Sequence, residues 1–331
     1  MKFRGCCART SKYLFSRLTR DKLRFKWNYI EEYGLVNFLS YTAKCYLNNL
    51  LPPNYKINLA ITAIAKNEAS YIREWIEFHR LVGVEKFFIY DNESTDNLKE
   101  ILQPYIDSEI VEYICFPGKC RQFAAYRNSI RRNANKVKYM AFIDCDEFIT
   151  PIKHNTIPEF IEYLEKKINH KIDALGINWI MHGYNGHYEK QEGLVCENYS
   201  KCDLNTGANQ HIKSIVRLRS VISNNHPHFC IHKLFSKIVN SNGEEMYGPF
   251  TEPHLDEIVI HHYYTKSYTE TKNKIQKGLA DQTNKRQISA FMPPAKEQPK
   301  KLEFVPDFLS VDEDHSMDRF IPLLKEKLGI N

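Results

Sequence analysis

The 331-residue sequence has no stretch approaching the roughly 20 uninterrupted apolar residues that a spanning helix needs, so no segment reads as a membrane-crossing helix. Its nine cysteines include no Cys-x-x-Cys pair. An odd, scattered set without a secretory signal suits a reducing compartment better than a disulfide framework, which makes the cytoplasm the expected location. No glycine-rich loop follows the first apolar run, Ile57 to Ile64, and this removes the usual cradle for a triphosphate. The body of the chain also lacks a basic excess. Residues 1 to 26 hold Lys2, Arg4, Arg9, Lys12, Arg17, Arg20, Lys22, Arg24 and Lys26 against Asp21 alone, about +8, so the formal +6 leaves about −2 for the rest (6 − 8). With no recognised binding module either, nucleic acid is not an expected partner. What is present, 43% hydrophobic and 26% charged residues, is ordinary for a folded protein and excludes disorder throughout.

The basic arm interleaves Phe3, Tyr13, Leu14, Phe15, Leu18, Leu23, Phe25 and Trp27 with its cations. That amphipathic mixture fits an anionic membrane surface, with a solvated basic tail as the plain alternative. On the first reading the protein would sit peripherally on the inner face of the plasma membrane. Residues 27 to 56 read as helical, aromatic-rich packing that ends at Leu51-Pro52-Pro53. From there strands and helices alternate. Strands are expected at Ile57 to Ile64, Lys86 to Tyr90 and Ile110 to Phe116, and helices at 72 to 81, Asp96 to Ile106 and Arg121 to Asn135, with Ser94 or Thr95 capping the second helix. Such βαβ units predict a mainly parallel, Rossmann-like sheet in an α/β domain over residues 57 to 328. Its halves are 57 to 150 and a less regular 151 to 328. The second half shows a helix from Ile157 to Ile168, strands at Ala174 to Met181 and Ile258 to Tyr264, and closing helices from about Tyr268 to Ala280 and Asp318 to Leu328, with a loop around Pro293-Pro294 between them.

The run Tyr139-Met140-Ala141-Phe142-Ile143 stops abruptly at Asp144-Cys145-Asp146-Glu147. This predicts one buried strand that delivers carboxylates to its carboxyl end, where open α/β sheets bind ligands. The Asp-x-Asp step suits a hard cation, Mn²⁺ or Mg²⁺, able to screen a diphosphate. The first two strands also end in polar residues, Lys66-Asn67-Glu68 and Asp91-Asn92-Glu93, and three polar ends on one sheet edge predict a shared crevice. His211 to Leu218 alternates, so that His211, Lys213, Ile215 and Arg217 share one face, a cationic surface suited to an anion. His226, His228, Cys230 and His232 alternate too, with Cys196 or Cys202 available, yet the spacing matches no zinc finger or knuckle. In Ile258-Val259-Ile260-His261-His262-Tyr263-Tyr264, a histidine at the strand's end could complete the shell that two aspartates leave open.

These residues, in this order, resemble the nucleotide-sugar glycosyltransferases of the GT-A fold, and within them the family 92 type and its bacterial family 2-like relatives. The segments that carry the resemblance are Ala63-Ile64-Ala65-Lys66-Asn67-Glu68, Tyr90 to Asp96, Gln122 to Asn128, Phe142 to Phe148, Ile177-Asn178-Trp179 with Gly183 and Gly186, His211 to Arg217, His226 to Phe229, and His262-Tyr263-Tyr264-Thr265-Lys266-Ser267-Tyr268. Two departures stand out: Leu218 follows the strand arginine where proline is frequent, and a histidine pair stands where one histidine is usual.

The resemblance implies an inverting transferase that moves a hexose, galactose foremost, from a UDP-sugar to a glycan or lipid-linked glycan acceptor in surface polysaccharide or lipopolysaccharide synthesis. It implies donor contacts from Ala65, Asn67, Glu68, Asp91, Asn92, Gln122, Arg127, Asp144, Lys213 and Arg217. Asp144, Asp146 and His262 would hold the metal, His262 being chosen over His261 because it directly precedes the Tyr-Tyr-Thr-Lys-Ser run. For the base that deprotonates the acceptor, Glu197, Glu192 and Glu252 are the candidates, all in loop-like stretches after the acidic motif. The rival readings are a sugar-phosphate nucleotidyltransferase and a non-catalytic sugar-binding protein on the same scaffold.

Overall fold

The computed structural model describes residues 26–277, 307 and 309–330. The basic arm up to residue 25, the end of the helix expected to run to Ala280, and the loop around Pro293-Pro294 lie outside the described residues.

The described residues open with a short helix over 26–33, followed by helix α1 (Leu35–Leu50), which buries only Phe38, Thr42 and Cys45. The aromatic-rich packing expected there is therefore confined to one narrow edge. Val36 and Leu50 on the remaining surface are 81% and 80% exposed. The sheet begins at β1 (Ile57–Ala65), followed by α2 (Ile72–Leu81), β2 (Lys86–Asp91), α3 (Leu98–Asp107), β3 (Val111–Cys115), α4 (Gln122–Asn133) and β4 (Val137–Phe142). All pairings among β1 to β4 are parallel, in the order β4-β1-β2-β3. A strand flanked on both sides and covered on both faces is mostly apolar, and β1, INLAITAIA, carries only Asn58 and Thr62 as polar residues.

The second half supplies β5 (Glu147–Pro151), α5 (Ile157–Lys167), β6 (Ala174–His182), the single turn α6 (Val195–Asn198), β7 (Lys201–Asp203), β8 (Ile212–Arg217), β9 (Val221–Asn224), β10 (Cys230–His232), β11 (Ile238–Asn240), β12 (Ile258–His262), α7 (Tyr268–Lys277), β13 (Asp312–Glu313) and α8 (Ile321–Leu328). Strand β8 inserts antiparallel between β4 and β6, extending the sheet to β13-β7-β6-β8-β4-β1-β2-β3, while β12 lies parallel to β6 and antiparallel to β5. The architecture is thus α/β with a mainly parallel nucleus and a less regular second half, as expected.

Two local expectations are corrected. Ser94 and Thr95 do not cap α3, whose N-cap is Asn97 without a side-chain bond. Instead Ser94 Oγ accepts from the Asn67 amide at 3.0 Å and the Thr95 amide donates to Asn67 Oδ1 at 2.7 Å, so both serve the neighbouring strand-end loop. The acidic run departs from expectation at Glu147, which starts a strand of its own. Strand β4 stops at Phe142, a turn carries Asp144 and Asp146, and Glu147 opens β5, fully buried. Reciprocal bonds close this turn: the Asp144 amide donates to Glu147 Oε2 at 2.9 Å, and the Glu147 amide to the Asp144 carbonyl at 3.2 Å.

The core beneath the turn is anchored by α2. Trp75, wholly buried, donates its indole N–H to the Glu147 carbonyl at 2.8 Å. One turn later His79 spans the same gap, with Nδ1 2.8 Å from the Trp75 carbonyl and Nε2 accepting from the Ile149 amide at 3.1 Å. Burial pushes its imidazole down to about 3, so it is neutral. Gly83 ends the helix at φ +96°, where a Cβ would also stand 2.9 Å from Pro158 Cδ.

Candidate functional site

The carboxyl ends of β1, β2 and β4 converge, as three polar ends on one edge predict. The loops after β1 and β2 are knitted together: the Asn92 amide donates to the Ala65 carbonyl at 2.8 Å, and the Ala69 amide to Asp96 Oδ2 at 3.0 Å. Asp91 accepts from the Ser94 amide at 3.0 Å and from the Tyr113 hydroxyl, and Asn92 Nδ2 reaches the carbonyls of Phe116 and Gly118. Asn67 and Glu93 hold positive φ of 57° and 62°, an unfavoured conformation that clusters at binding loops. Glu68 Oε2 lies 3.9 Å from Lys266 Nζ, which links this rim to the segment after β12.

The acidic turn is set among cations. Asp144 takes Gln122 Nε2 on Oδ1 at 3.1 Å and Lys213 Nζ on Oδ2 at 2.8 Å. Lys213 projects from β8, is 1% exposed, and also lies 3.4 Å from Glu147 Oε2. Burial disfavours its charge, but the Asp144 and Glu147 carboxylates outweigh that and hold the ammonium above its ordinary value. Burial pushes the Glu147 carboxyl up to about 8, with Lys213 opposing. Asp146 faces the other way, towards His262 Nε2 at 3.5 Å from Oδ1 and Lys274 of α7 on Oδ2. Burial resists its ionisation, while Lys274 and His262 keep its carboxyl well below the usual range.

The register explains why His262 arrives there. It pairs with Glu147 across β12 and β5, and the next amide, Tyr263, donates to the Asp146 carbonyl at 2.9 Å. Neighbours in a strand face opposite ways, so His261 turns from the acidic turn towards His182 and Asp314. Burial pushes the His262 imidazolium down although Asp146 opposes, leaving a neutral ring with a lone pair to offer. Its Nδ1 and Glu147 Oε1, 3.9 Å apart, are both buried without a hydrogen-bond partner among the described residues. A cation held by Asp146, His262 and Asp144 would meet oxygen and nitrogen donors that suit Mn²⁺ or Mg²⁺, with Glu147 behind the imidazole as an orienting carboxylate.

Trp179 of β6 forms the adjoining wall. Its ring stacks on His211 at 5.0 Å with nearly parallel planes (14°), and lies 5.0 Å from His228 and 4.5 Å from His262. Its indole N–H is buried without a partner among the described residues. An aromatic face next to a carboxylate turn can pack against a sugar ring.

Several candidates lie elsewhere. Arg217, four residues along β8 from Lys213, points to the opposite end of the strand, pairing with Glu165 at 3.0 Å and the Tyr139 hydroxyl at 3.1 Å. The shared cationic face is therefore split: Lys213 reaches the acidic turn and Arg217 does not. Arg127 donates to the Asn224 carbonyl at 3.0 Å and ties α4 to β9. Among the three glutamates, Glu197 pairs with Lys325 of α8 at 2.7 Å, and Glu192 belongs to the loop closed by Asn198 on its carbonyl. Glu252 follows Phe250 and Thr251, which flank the wall: the Phe250 ring sits 4.6 Å from His211 and the Thr251 carbonyl accepts from Asn178 Nδ2 at 3.4 Å. The alternating His226, His228, Cys230 and His232 do not gather around one point. Among the described residues the one group of potential metal ligands found close together is His182, His261 and Asp314. Sequence reasoning missed Lys274, because a lysine in a Lys/Thr-rich helix carries no local signal.

The sequence profile described as Glycosyltransferase family 92 matches residues 59–294. A rice (Oryza sativa subsp. japonica) glycosyltransferase family 92 protein is 32% identical over 94 residues, 28% of this chain and 16% of the relative. The β-1,4-galactosyltransferase galt-1 of Caenorhabditis elegans is 33% identical over 124 residues, 34% of this chain and 29% of the relative. The matched parts thus span less than a third of these relatives' own length. Among solved structures, Staphylococcus aureus TarS 1–349 with UDP is similar at 15% identity and a TM-score of 0.34, over 49% of this chain and 47% of that one.

Proposed function

Because the chain belongs to glycosyltransferase family 92, we propose that it transfers a hexose from a UDP-sugar to a glycan or lipid-linked glycan hydroxyl, with inversion and with Mn²⁺ or Mg²⁺. The observation that carries this reading is the pair of charge contacts at the carboxyl edge of the sheet, where Asp146 meets His262 at 3.5 Å and Asp144 meets the buried Lys213 at 2.8 Å. The name of the nematode relative, a β-1,4-galactosyltransferase, favours galactose. When bound, the cation would neutralise the donor's diphosphate.

The chain's own residues would act around it. The loops carrying Ala65, Asn67, Glu68, Asp91 and Asn92 would hold the nucleoside, and Gln122 fixes the Asp144 carboxylate. Trp179 would pack against the sugar. Glu252 is the base best supported by position, since its loop borders the Trp179 and His211 wall while Glu197 is engaged with Lys325. The carboxylate would take the acceptor hydroxyl's proton as that oxygen bonds to the anomeric carbon, and the bond from that carbon to the diphosphate breaks with its electron pair leaving on UDP. Lys213 and Lys274 would offset the charge that develops there. Screening UDP-sugars for Mn²⁺-dependent turnover tests the reading. Galactose transfer or hydrolysis above the other hexoses is expected, and no turnover of any nucleotide sugar would refute it.

Membrane association belongs to the same proposal. Helix α1, which begins nine residues after the basic arm ends, leaves Leu35, Val36, Leu39, Leu47 and Leu50 exposed along one side, without an acidic residue anywhere in the helix. An apolar stripe beside a cationic arm suits an anionic lipid surface, where a lipid-linked acceptor would be presented.

A further inference from the structure

Strand β12 carries two adjacent histidines, and only His262 serves the acidic turn. His261 is wholly buried on the opposite face, between His182 at the end of β6 and Asp314 just beyond β13. His261 Nδ1 lies 3.0 Å from His182 Nε2 and 3.0 Å from Asp314 Oδ2, and the latter two atoms are 3.9 Å apart.

Counting protons shows that this triangle is one donor short. His182 Nδ1 lies 2.8 Å from the Tyr199 carbonyl, which can only accept, so Nδ1 carries the hydrogen and Nε2 presents a lone pair. A hydrogen on His261 Nδ1 satisfies that lone pair and leaves Asp314 Oδ2 with none. Asp314 Oδ2 is indeed buried without a hydrogen-bond partner among the described residues, whereas Oδ1 is served by the Ser316 amide at 3.0 Å. Tyr263, whose ring packs 4.5 Å from His182, adds a buried hydroxyl that also has no hydrogen-bond partner among the described residues. A divalent ion would engage all three lone pairs at once. Both imidazoles already have an oxygen at their far nitrogen, Tyr199 O for His182 and Ser316 Oγ at 3.0 Å for His261, which is how metal-bound histidines are oriented.

We propose that His182, His261 and Asp314 form a second metal site, distinct from the donor site, for an ion of the zinc class. Two imidazole nitrogens and one carboxylate oxygen suit that class better than Mg²⁺, and the separations resemble ligand spacings in a tetrahedral shell with one position left to water. On binding, the single ring hydrogen of His261 moves from Nδ1 to Nε2 with no net proton release, and the Nε2–H then donates to Ser316 Oγ. The ion would fasten the segment that carries Asp314 to β6 and β12, and so brace the strand that carries His262.

Full-length protein expressed with zinc and dialysed against a weak chelator tests this by elemental analysis. About one zinc per chain should remain in the wild type and in Asp146→Asn, and zinc affinity should fall at least ~10-fold in His182→Gln and Asp314→Asn. Added Zn²⁺ should raise the Tm of chelator-treated wild type but not of Asp314→Asn, and Co²⁺ should give tetrahedral ligand-field absorption in the wild type and in Asp146→Asn but not in Asp314→Asn. These measurements on wild type stand even if a variant folds poorly. No retained zinc and no Zn²⁺-dependent Tm shift in the wild type would overturn the site, as would zinc that survives in Asp314→Asn but is lost in Asp146→Asn.

Discussion

Lys213 shows how a single residue sets the site. Its ammonium is enclosed with Asp144 and Glu147, and a buried charge cluster is stable only while its partners remain. Lys213→Met should cost about 3–5 kcal/mol of folding stability, because it removes the cation buried against Glu147 and leaves Asp144 with Gln122 alone, and should abolish turnover. Arg217→Met should leave the KM for donor unchanged, since Arg217 braces Glu165 at the far end of β8. Denaturant melts and donor kinetics of both variants check this. For the histidine pair, His262→Ala should sharply raise the Mn²⁺ concentration needed for activity with little change in Tm in the absence of metal. His261→Ala should lower Tm and keep the Mn²⁺ requirement. The pairing of roles was only half legible in the sequence: alternation says that adjacent histidines face apart, but the choice between them depends on the β12 to β5 register.

At the scale of elements, the parallel nucleus was legible because its strands are apolar runs cut off by polar residues, and β1, β2 and β3 lie within one residue of their expected ends. The role of Glu147 was not. A fully buried glutamate at the start of β5 has no local signature, since its burial depends on Lys213 arriving from 66 residues away (213 − 147). His79 is a similar case: it occupies an apolar position of α2 yet works through polar bonds to Trp75 and Ile149. Its depressed value has a stability consequence. The unfolded chain takes up a proton near pH 6.5 and the folded chain only near 3, so stability is full above about 6.5 and falls as pH drops through that interval. Each such histidine contributes a slope of about 1.4 kcal/mol per pH unit. His79→Gln should lower stability at pH 7 and flatten the dependence between pH 6 and 4, as read by denaturant melts across that range. An unchanged slope would mean that His79 is protonated in the folded protein.

At the scale of the whole molecule, charge divides the sequence into a basic, amphipathic start and a near-neutral body. What the sequence hid is that α1 turns its apolar stripe outward, because the few contacts that hold it, such as Arg219 on the carbonyls of Asn48 and Leu51, come from distant loops. Removing residues 1 to 26 should reduce sedimentation with anionic vesicles severalfold and leave turnover of a soluble acceptor within about twofold, given roughly 1 kcal/mol per basic side chain at such a surface. Equal sedimentation of the full-length and truncated proteins would discard the membrane reading.

The central claim is that the turn between β4 and β5 is the metal and diphosphate end of a sugar-donor site, and Asp146→Asn tests it most directly. The substitution keeps the side chain's size and the apolar strand beneath, but removes the charge that faces His262 and Lys274. Measured as Mn²⁺-supported turnover of UDP-galactose by a protein whose circular dichroism is that of the wild type, activity should fall at least ~100-fold. Near-normal metal-dependent transfer by the folded Asp146→Asn protein would contradict the account.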